Sequence, residues 1–241
     1  MYYSPLADSH GWHYGLSVPI CAGKLEELNS FPVEIVRQKN FLYTVSKYGK
    51  AVYGEKIRKT GEGYLREWNP KRSKVAAAIL KKLSELPLRQ ASSVLYLGAA
   101  SGTTVSHFSD ICRSGKIFAV EKAYDPFVKL LDLADSRDNI YPIIEDAGQI
   151  ERYSFFINRV DFIYQDIAQR NQVQIFNNAA AYFSEARDAM LVIKVRAISS
   201  KGSEKDILLK EASKISGFRV IETIDLSPYS RSNYMLRLRR Y

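Results

Sequence analysis

Cysteine and histidine are scarce in this chain, two and three among 241 residues. Cys21 and Cys112 lie far apart with no Cys or His cluster beside either, so neither a disulfide framework nor a metal site is expected. No stretch approaches the roughly 18 apolar residues that mark a membrane span. The opening Met1-Tyr2-Tyr3-Ser4-Pro5 has no basic stretch leading into an apolar run, so no secretory leader is expected either. Internal repeats and low-complexity tracts are also missing. What is left, 46% hydrophobic and 25% charged residues, is the composition of a globular, cytoplasmic protein. The length suits one large domain with a small appendage.

Acidic residues are the other shortage, 26 Asp and Glu against 35 Lys and Arg, for a net charge of +9. The imbalance is local. Residues 1–36 carry one Lys and four acids, whereas residues 37–74 carry eleven Lys or Arg and three acids, net +8. Residues 75–227 hold nineteen charges of each sign, and the tail adds Arg231, Arg237, Arg239 and Arg240 with no acid. A neutral body with two basic ends predicts a polyanionic partner that touches the ends. A solvated basic face is the competing reading of the same charges.

The hydrophobic pattern divides the chain in two. Up to about residue 60, Val33–Val36, Phe41–Val45 and Ala51–Tyr53 are β-prone, and Lys47-Tyr48-Gly49-Lys50 supplies a turn. This predicts a small antiparallel β domain over residues 1–60, closed by Gly61-Glu62-Gly63. Val75, Ala78, Ile79 and Leu83 then recur at helical spacing, predicting an amphipathic helix over 72–83 that starts near Asn69-Pro70. Beyond Pro87, strands are expected at 94–97, 117–120, 140–144, 160–164, 190–195, 218–225 and 234–238, with helices between the first five and another over 204–216. Only eight residues join the last two strands, too few for a parallel crossover, so they should pair antiparallel. Residues 61–241 are therefore expected to form an α/β domain around a seven-stranded sheet with a final hairpin.

Gly98-Ala99-Ala100-Ser101-Gly102-Thr103-Thr104 follows the first strand of that domain. Its small residues let backbone approach a ligand at a strand's carboxyl end. No Lys follows the second glycine, so it is not a P-loop, and the third glycine of the dinucleotide fingerprint is missing. The next strand ends at Glu121, where a carboxylate can accept from ribose hydroxyls. The third ends in Glu145-Asp146-Ala147, where an acid can meet an adenine amino group, and the fourth in Gln165-Asp166-Ile167-Ala168-Gln169. Acids at strand ends are often mere loop residues, but four such ends on one rim favour a nucleoside ligand.

The chain resembles fibrillarin-like RNA 2′-O-methyltransferases of the archaeal type. The resemblance rests on Tyr64-Leu65-Arg66-Glu67-Trp68-Asn69-Pro70-Lys71-Arg72-Ser73-Lys74 and on the glycine-loop run Val94 to His107. Ile144-Glu145-Asp146-Ala147, Asp166-Ile167-Ala168-Gln169 and Val192-Ile193-Lys194 follow in the family's order. It implies a Rossmann-like methyltransferase domain binding S-adenosylmethionine. Gly98 would then belong to the cofactor site, with Thr103 and Thr104 lining the methionine side, Glu121 and Lys122 the ribose, Asp146 and Ala147 the adenine, and Asp166, Ile167, Ala168 and Gln169 closing the pocket. It also implies a box C/D ribonucleoprotein. A Nop-domain scaffold, a guide RNA and its kink-turn-binding protein would present rRNA or tRNA, and guide pairing would select the nucleotide.

Methyl transfer to a ribose hydroxyl requires orienting that hydroxyl and helping it lose a proton. A Lys–Asp–Lys constellation meets the need, with one ammonium stabilising the developing alkoxide while the Asp orients it and the hydroxyl. Lys194 stands in an apolar strand and needs a partner, for which Asp166, at the end of a neighbouring strand, is the obvious choice; a purely structural ion pair is the alternative. Lys74 is the third expected member, with Arg72 competing, and Lys71 and Arg72 are expected to hold RNA phosphates. His107 reads as a packed helix residue, and Trp68 as either a base-stacking ring or a pin for the linker. Ser230-Arg231-Ser232-Asn233, Arg170-Asn171 and the basic tail depart from the family's pattern. A non-catalytic RNA-binding scaffold that kept the fold, and a nucleotide-dependent oxidoreductase, are the competing functional classes.

Overall fold

The computed structural model describes residues 25–61 and 63–241, so the expectations for the opening residues, Cys21 and Glu62 lie outside the described residues. The first unit is an antiparallel sheet of β1 (Glu26–Glu27), β2 (Ile35–Gln38), β3 (Phe41–Ser46), β4 (Ile57–Thr60) and β5 (Gly63–Glu67), in the order β1-β2-β3-β5-β4. Ala51–Tyr53 is not a strand. There the Glu55 carboxylate accepts the N–H groups of Val52 and Tyr53 and folds the segment into a turn. The expected junction at residue 60 falls between the paired strands β4 and β5.

Helix α1 (Lys74–Leu80) is shorter than its apolar spacing suggests. Asn69 C=O takes the N–H groups of both Arg72 and Ser73 in a turn, and Ser73 then caps the helix by accepting from Ala76 N. The second unit is a seven-stranded sheet in the order β11-β12-β10-β9-β6-β7-β8. Its strands are β6 (Ser93–Leu97), β7 (Lys116–Glu121), β8 (Ile140–Ile144), β9 (Phe162–Gln165), β10 (Asp188–Lys194), β11 (Phe218–Asp225) and β12 (Asn233–Arg240). β6 to β10 run parallel, and β12 lies antiparallel between β10 and β11. The expected seven-stranded α/β sheet with its closing antiparallel hairpin is thus the observed fold.

The connecting helices are α2 (Thr103–Ile111), α3 (Tyr124–Ala134), α4 (Gln172–Tyr182), α5 (Val195–Ile198) and α6 (Glu204–Ala212). Between β8 and β9 there is no α-helix, only two 3₁₀ turns at Ile150–Arg152 and Ser154–Phe156. Strand alternation distributes the core to both faces. Val94 and Tyr96 join α1, α2 and the first sheet, while Leu95 and Leu97 join α4 and the Ile150–Ile157 segment. Each such fully buried aliphatic side chain contributes about 1.5–3 kcal/mol, so the sheet is anchored from both sides. β6 has β7 on one side and β9 on the other, so the chain order reverses between β6 and β9. A crevice opens there at the strands' carboxyl ends. No helix among the described residues is long and apolar enough to cross a membrane.

Candidate active site

The crevice is built by the loops after β6 and β9. Asp166 N–H donates to Leu97 C=O at 2.9 Å, which sets the Asp166 turn directly beside Gly98. A side chain at Gly98 would stand 2.7 Å from Asp166 O, and its φ of +85° is one that side-chain-bearing residues rarely adopt. Gly102, also at φ +85°, starts α2 where a Cβ would strike Leu133 at 2.5 Å. The two glycines therefore allow the loop to lie flat between the Asp166 turn and α3.

Asp166 sits between two ammonium groups. Lys74, the first residue of α1, brings its Nζ to 2.8 Å from Asp166 Oδ2, and Lys194, the last of β10, brings its own to 2.8 Å from Oδ1. The Lys194 contact to Oδ1 is an ion pair too oblique for a hydrogen bond. Its aligned bond is to the Asp166 backbone carbonyl, at 3.0 Å. The side chains of Lys74, Asp166 and Lys194 are 22%, 15% and 20% exposed, so the cluster is recessed yet open to a substrate. Arg72 is exposed, with its guanidinium 6.0 Å from the Tyr53 ring centre, and Lys71 is exposed beside it. Of the two candidates for third member, the structure brings Lys74 to the aspartate.

The other expected residues lie along the same rim. Glu121 ends β7 and accepts Ala100 N–H and Ala123 N–H, each at 2.8 Å, fastening the glycine loop to the start of α3. Asp146 follows β8. Its carboxyl is held below the usual carboxylate range by the Gly148 N–H at 2.8 Å, with Gln169 and Lys122 adding to the effect. Gln169 Nε2 and Lys122 Nζ each stand 3.3 Å from that carboxylate, which links the ends of β7, β8 and β9. Ala147 and Ile167 are buried, Ala168 is exposed, and Ala147 C=O accepts from Tyr153 Oη. Thr103 is half-buried. Thr104 is buried, and its hydroxyl donates to Ser73 Oγ at 3.0 Å, tying α2 to the cap of the helix that carries Lys74.

His107 and Trp68 are fully buried and stack on each other at 4.8 Å, so Trp68 pins the linker and is out of reach of a base. The His107 ring nitrogens stand 2.8 Å from Thr44 Oγ1 and Tyr53 Oη. Burial, with Arg66 and Arg137 nearby, pushes its pKa well below the ordinary value. Cys112 is buried in the core, and burial pushes its thiol up. Gln172 belongs to this region too, and nothing in the sequence singled it out. A glutamine opening a helix has the pattern of a surface residue, yet this one is fully buried.

The rim's donor set suits an adenosine-bearing cofactor. Each Glu121 oxygen has a lone pair beyond the one its backbone partner uses, which leaves room for ribose hydroxyls. Asp146, held ionised, offers acceptors to an exocyclic amine.

The fibrillarin family model matches residues 24–240. A Picrophilus torridus protein named fibrillarin-like rRNA/tRNA 2′-O-methyltransferase is 54% identical over 206 residues, covering 86% of this chain and 97% of its own. Among solved structures, the fibrillarin of a fibrillarin/Nop5p complex is 41% identical with a TM-score of 0.83, covering 90% of this chain and 100% of that one. An Aeropyrum pernix fibrillarin, solved with natively bound S-adenosyl-L-methionine, is 32% identical with a TM-score of 0.81 over 89% of this chain and 97% of its own. With the family's pattern running over residues 24–240 and two solved fibrillarins sharing its fold, this chain belongs to the fibrillarin family.

Proposed function

We propose that the chain methylates the 2′-hydroxyl of ribose in rRNA and tRNA, as the S-adenosylmethionine-dependent subunit of a cytoplasmic box C/D ribonucleoprotein. The observation that carries this reading is Asp166 held between Lys74 and Lys194 in the crevice beside the glycine loop. The relatives' name supports the reaction, and the two solved fibrillarins support the cofactor and a Nop-domain scaffold as partner. Guide RNA with its kink-turn-binding protein would complete the particle and choose the nucleotide.

Bound S-adenosylmethionine supplies an electrophilic methyl group. The chain's own part is to bring a hydroxyl in line and ease the passage of its proton to solvent water as the oxygen takes the methyl. Both oxygens of Asp166 already face an ammonium, so the carboxylate serves mainly to fix the two lysines. With both lysines protonated the cluster carries one surplus positive charge, placed where an alkoxide would develop. Glu121 and Asp146 hold the nucleoside, and Gln169 steadies Asp146 from the Asp166 turn. Lys71 and Arg72, exposed just before α1, would grip the target strand's phosphates without reading its bases.

The test is transfer of labelled methyl to target RNA by the chain assembled with its scaffold, kink-turn-binding protein and guide. Label on one 2′-oxygen, set by the guide and lost without it, is the expected result. No label with every component present would sink the reading, and label independent of guide sequence would assign target choice to the chain itself.

A further inference from the structure

We propose that Gln172 is a positioning residue for Lys194, its side-chain amide standing in for a strand residue that β9 does not provide. The inference rests on the reading that Lys194 and Asp166 act in methyl transfer.

β9 ends at Gln165, and its pairing with β10 stops at Leu191 opposite Gln165. β10 continues three residues further, to Lys194, supported on its other side by β12 through the pair Lys194 and Asn233. On the β9 side the N–H and C=O of Lys194 face a gap in the ladder, and such groups require partners when water is excluded. Gln172 fills the gap. Its Oε1 accepts Lys194 N–H at 3.0 Å, and its Nε2 stands 3.4 Å from Lys194 O, the geometry of a strand neighbour.

The same Nε2 donates to Gln169 O at 3.1 Å, so one amide fastens Lys194 to the turn that carries Asp166. Gln165 in turn donates from its own amide to Gln172 C=O at 2.7 Å, tying the start of α4 back to the end of β9. Gln172 has no solvent exposure, so water cannot replace these bonds freely. The separation of the Lys194 ammonium from Asp166 is thus fixed through backbone that this amide holds at both ends. A misplacement of about 1 Å in such a site can cost on the order of 100-fold in rate.

Two variants separate positioning from mere support. Gln172→Met keeps length and bulk but no polar atoms, and Gln172→Glu keeps an acceptor for Lys194 N–H but loses the donor. Each is assayed in the assembled particle for kcat, and by calorimetry for S-adenosylmethionine affinity. Phe176→Leu, a core truncation on the same helix, serves as a destabilised control. The expected result is a kcat lower by about 10- to 100-fold in both Gln172 variants. Cofactor affinity should be essentially unchanged, and Phe176→Leu should keep normal turnover. If one Gln172 variant does not melt cooperatively, the other carries the test, and failure of both to fold would make Gln172 a fold residue and overturn the proposal. Unchanged turnover, a loss matched by the control, or a loss confined to cofactor affinity would also overturn it. A wild-type chain that transfers no methyl would instead overturn the function itself, and this inference with it.

Discussion

Asp110 and Asp166 are each clamped by two cations, Arg66 and Arg137 in one case and Lys74 and Lys194 in the other. Asp110 takes Arg66 Nη1 at 2.6 Å and Arg137 Nη1 at 2.8 Å, and accepts the hydroxyls of Ser46 at 2.6 Å and Thr44 at 2.9 Å as well. Arg66 also grips Glu55, so two acids balance two guanidinium groups. None of the four charged side chains of this cluster is more than 2% exposed. It joins the first sheet to α2. The Asp166 cluster has one acid for two ammonium groups and keeps part of its surface open. Charge pairing alone therefore does not mark a reactive site. A balanced, sealed cluster with rigid guanidinium forks makes a joint, while an unbalanced, open one with flexible lysines leaves charge for a substrate.

The comparison breaks most sharply if the sealed cluster is opened. Arg66→Ala would leave Glu55 and Asp110 buried without their shared cation, which should cost about 3–5 kcal/mol of stability. Melting temperature reads this directly. An unchanged melting curve would mean that the joint is not held by charge. Asp166→Ala and Lys194→Ala should show the reverse profile, with methyl transfer down by at least about 100-fold. Their melting should stay close to wild type, because the removed groups are partly solvated. A large loss of stability with turnover preserved would make the Asp166 cluster a second joint.

The same contrast explains what the sequence revealed. The strands beyond Pro87 were legible because each is an apolar run bounded by turn residues. In the first sheet, Ile57-Arg58-Lys59-Thr60 is an edge strand with polar residues on both faces. Tyr64-Leu65-Arg66-Glu67 buries a guanidinium where the pattern called for an aliphatic residue, so its alternation was unreadable. Ala51-Val52-Tyr53 had the composition of a strand, but the Glu55 carboxylate captured its N–H groups. Lys194 stood out as a charge in an apolar strand, and Asp166 as the acid at the end of its neighbour. Lys74 over Arg72 needed the turn geometry of Asn69, which sets which side chain begins the helix. Gln172 left no trace, since its role depends on β9 stopping short of β10. Strand order, which creates the crevice, is likewise invisible to local pattern.

Glu121 lies between the two extremes, anchored by backbone N–H groups yet half-exposed. Glu121→Ala should weaken S-adenosylmethionine binding by about 1–3 kcal/mol, since ribose hydroxyls lose a charged acceptor and the glycine loop loses its tether. Calorimetry on the free chain measures it. An unchanged affinity would place the ribose elsewhere on the rim.

The smallest expected effect concerns cations that belong to neither cluster. Arg66 contributes to the +8 of residues 37–74 but is sealed against Glu55 and Asp110, so it offers nothing to a polyanion. Lys71 is exposed three residues before Lys74, and on the proposed reading it would hold the target backbone beside the reacting sugar. Lys71→Glu should weaken engagement of target RNA for every guide alike and lower its salt slope by about one for each phosphate that is no longer neutralised. Cofactor affinity should not change, because the Glu121 and Asp146 strand ends are untouched. RNA engagement measured across a salt series with two unrelated guides decides the matter. A defect that varies with guide sequence would mean that Lys71 touches bases. Engagement indifferent to both mutation and ionic strength would move the RNA contacts to the scaffold and leave this basic face as a solvated surface.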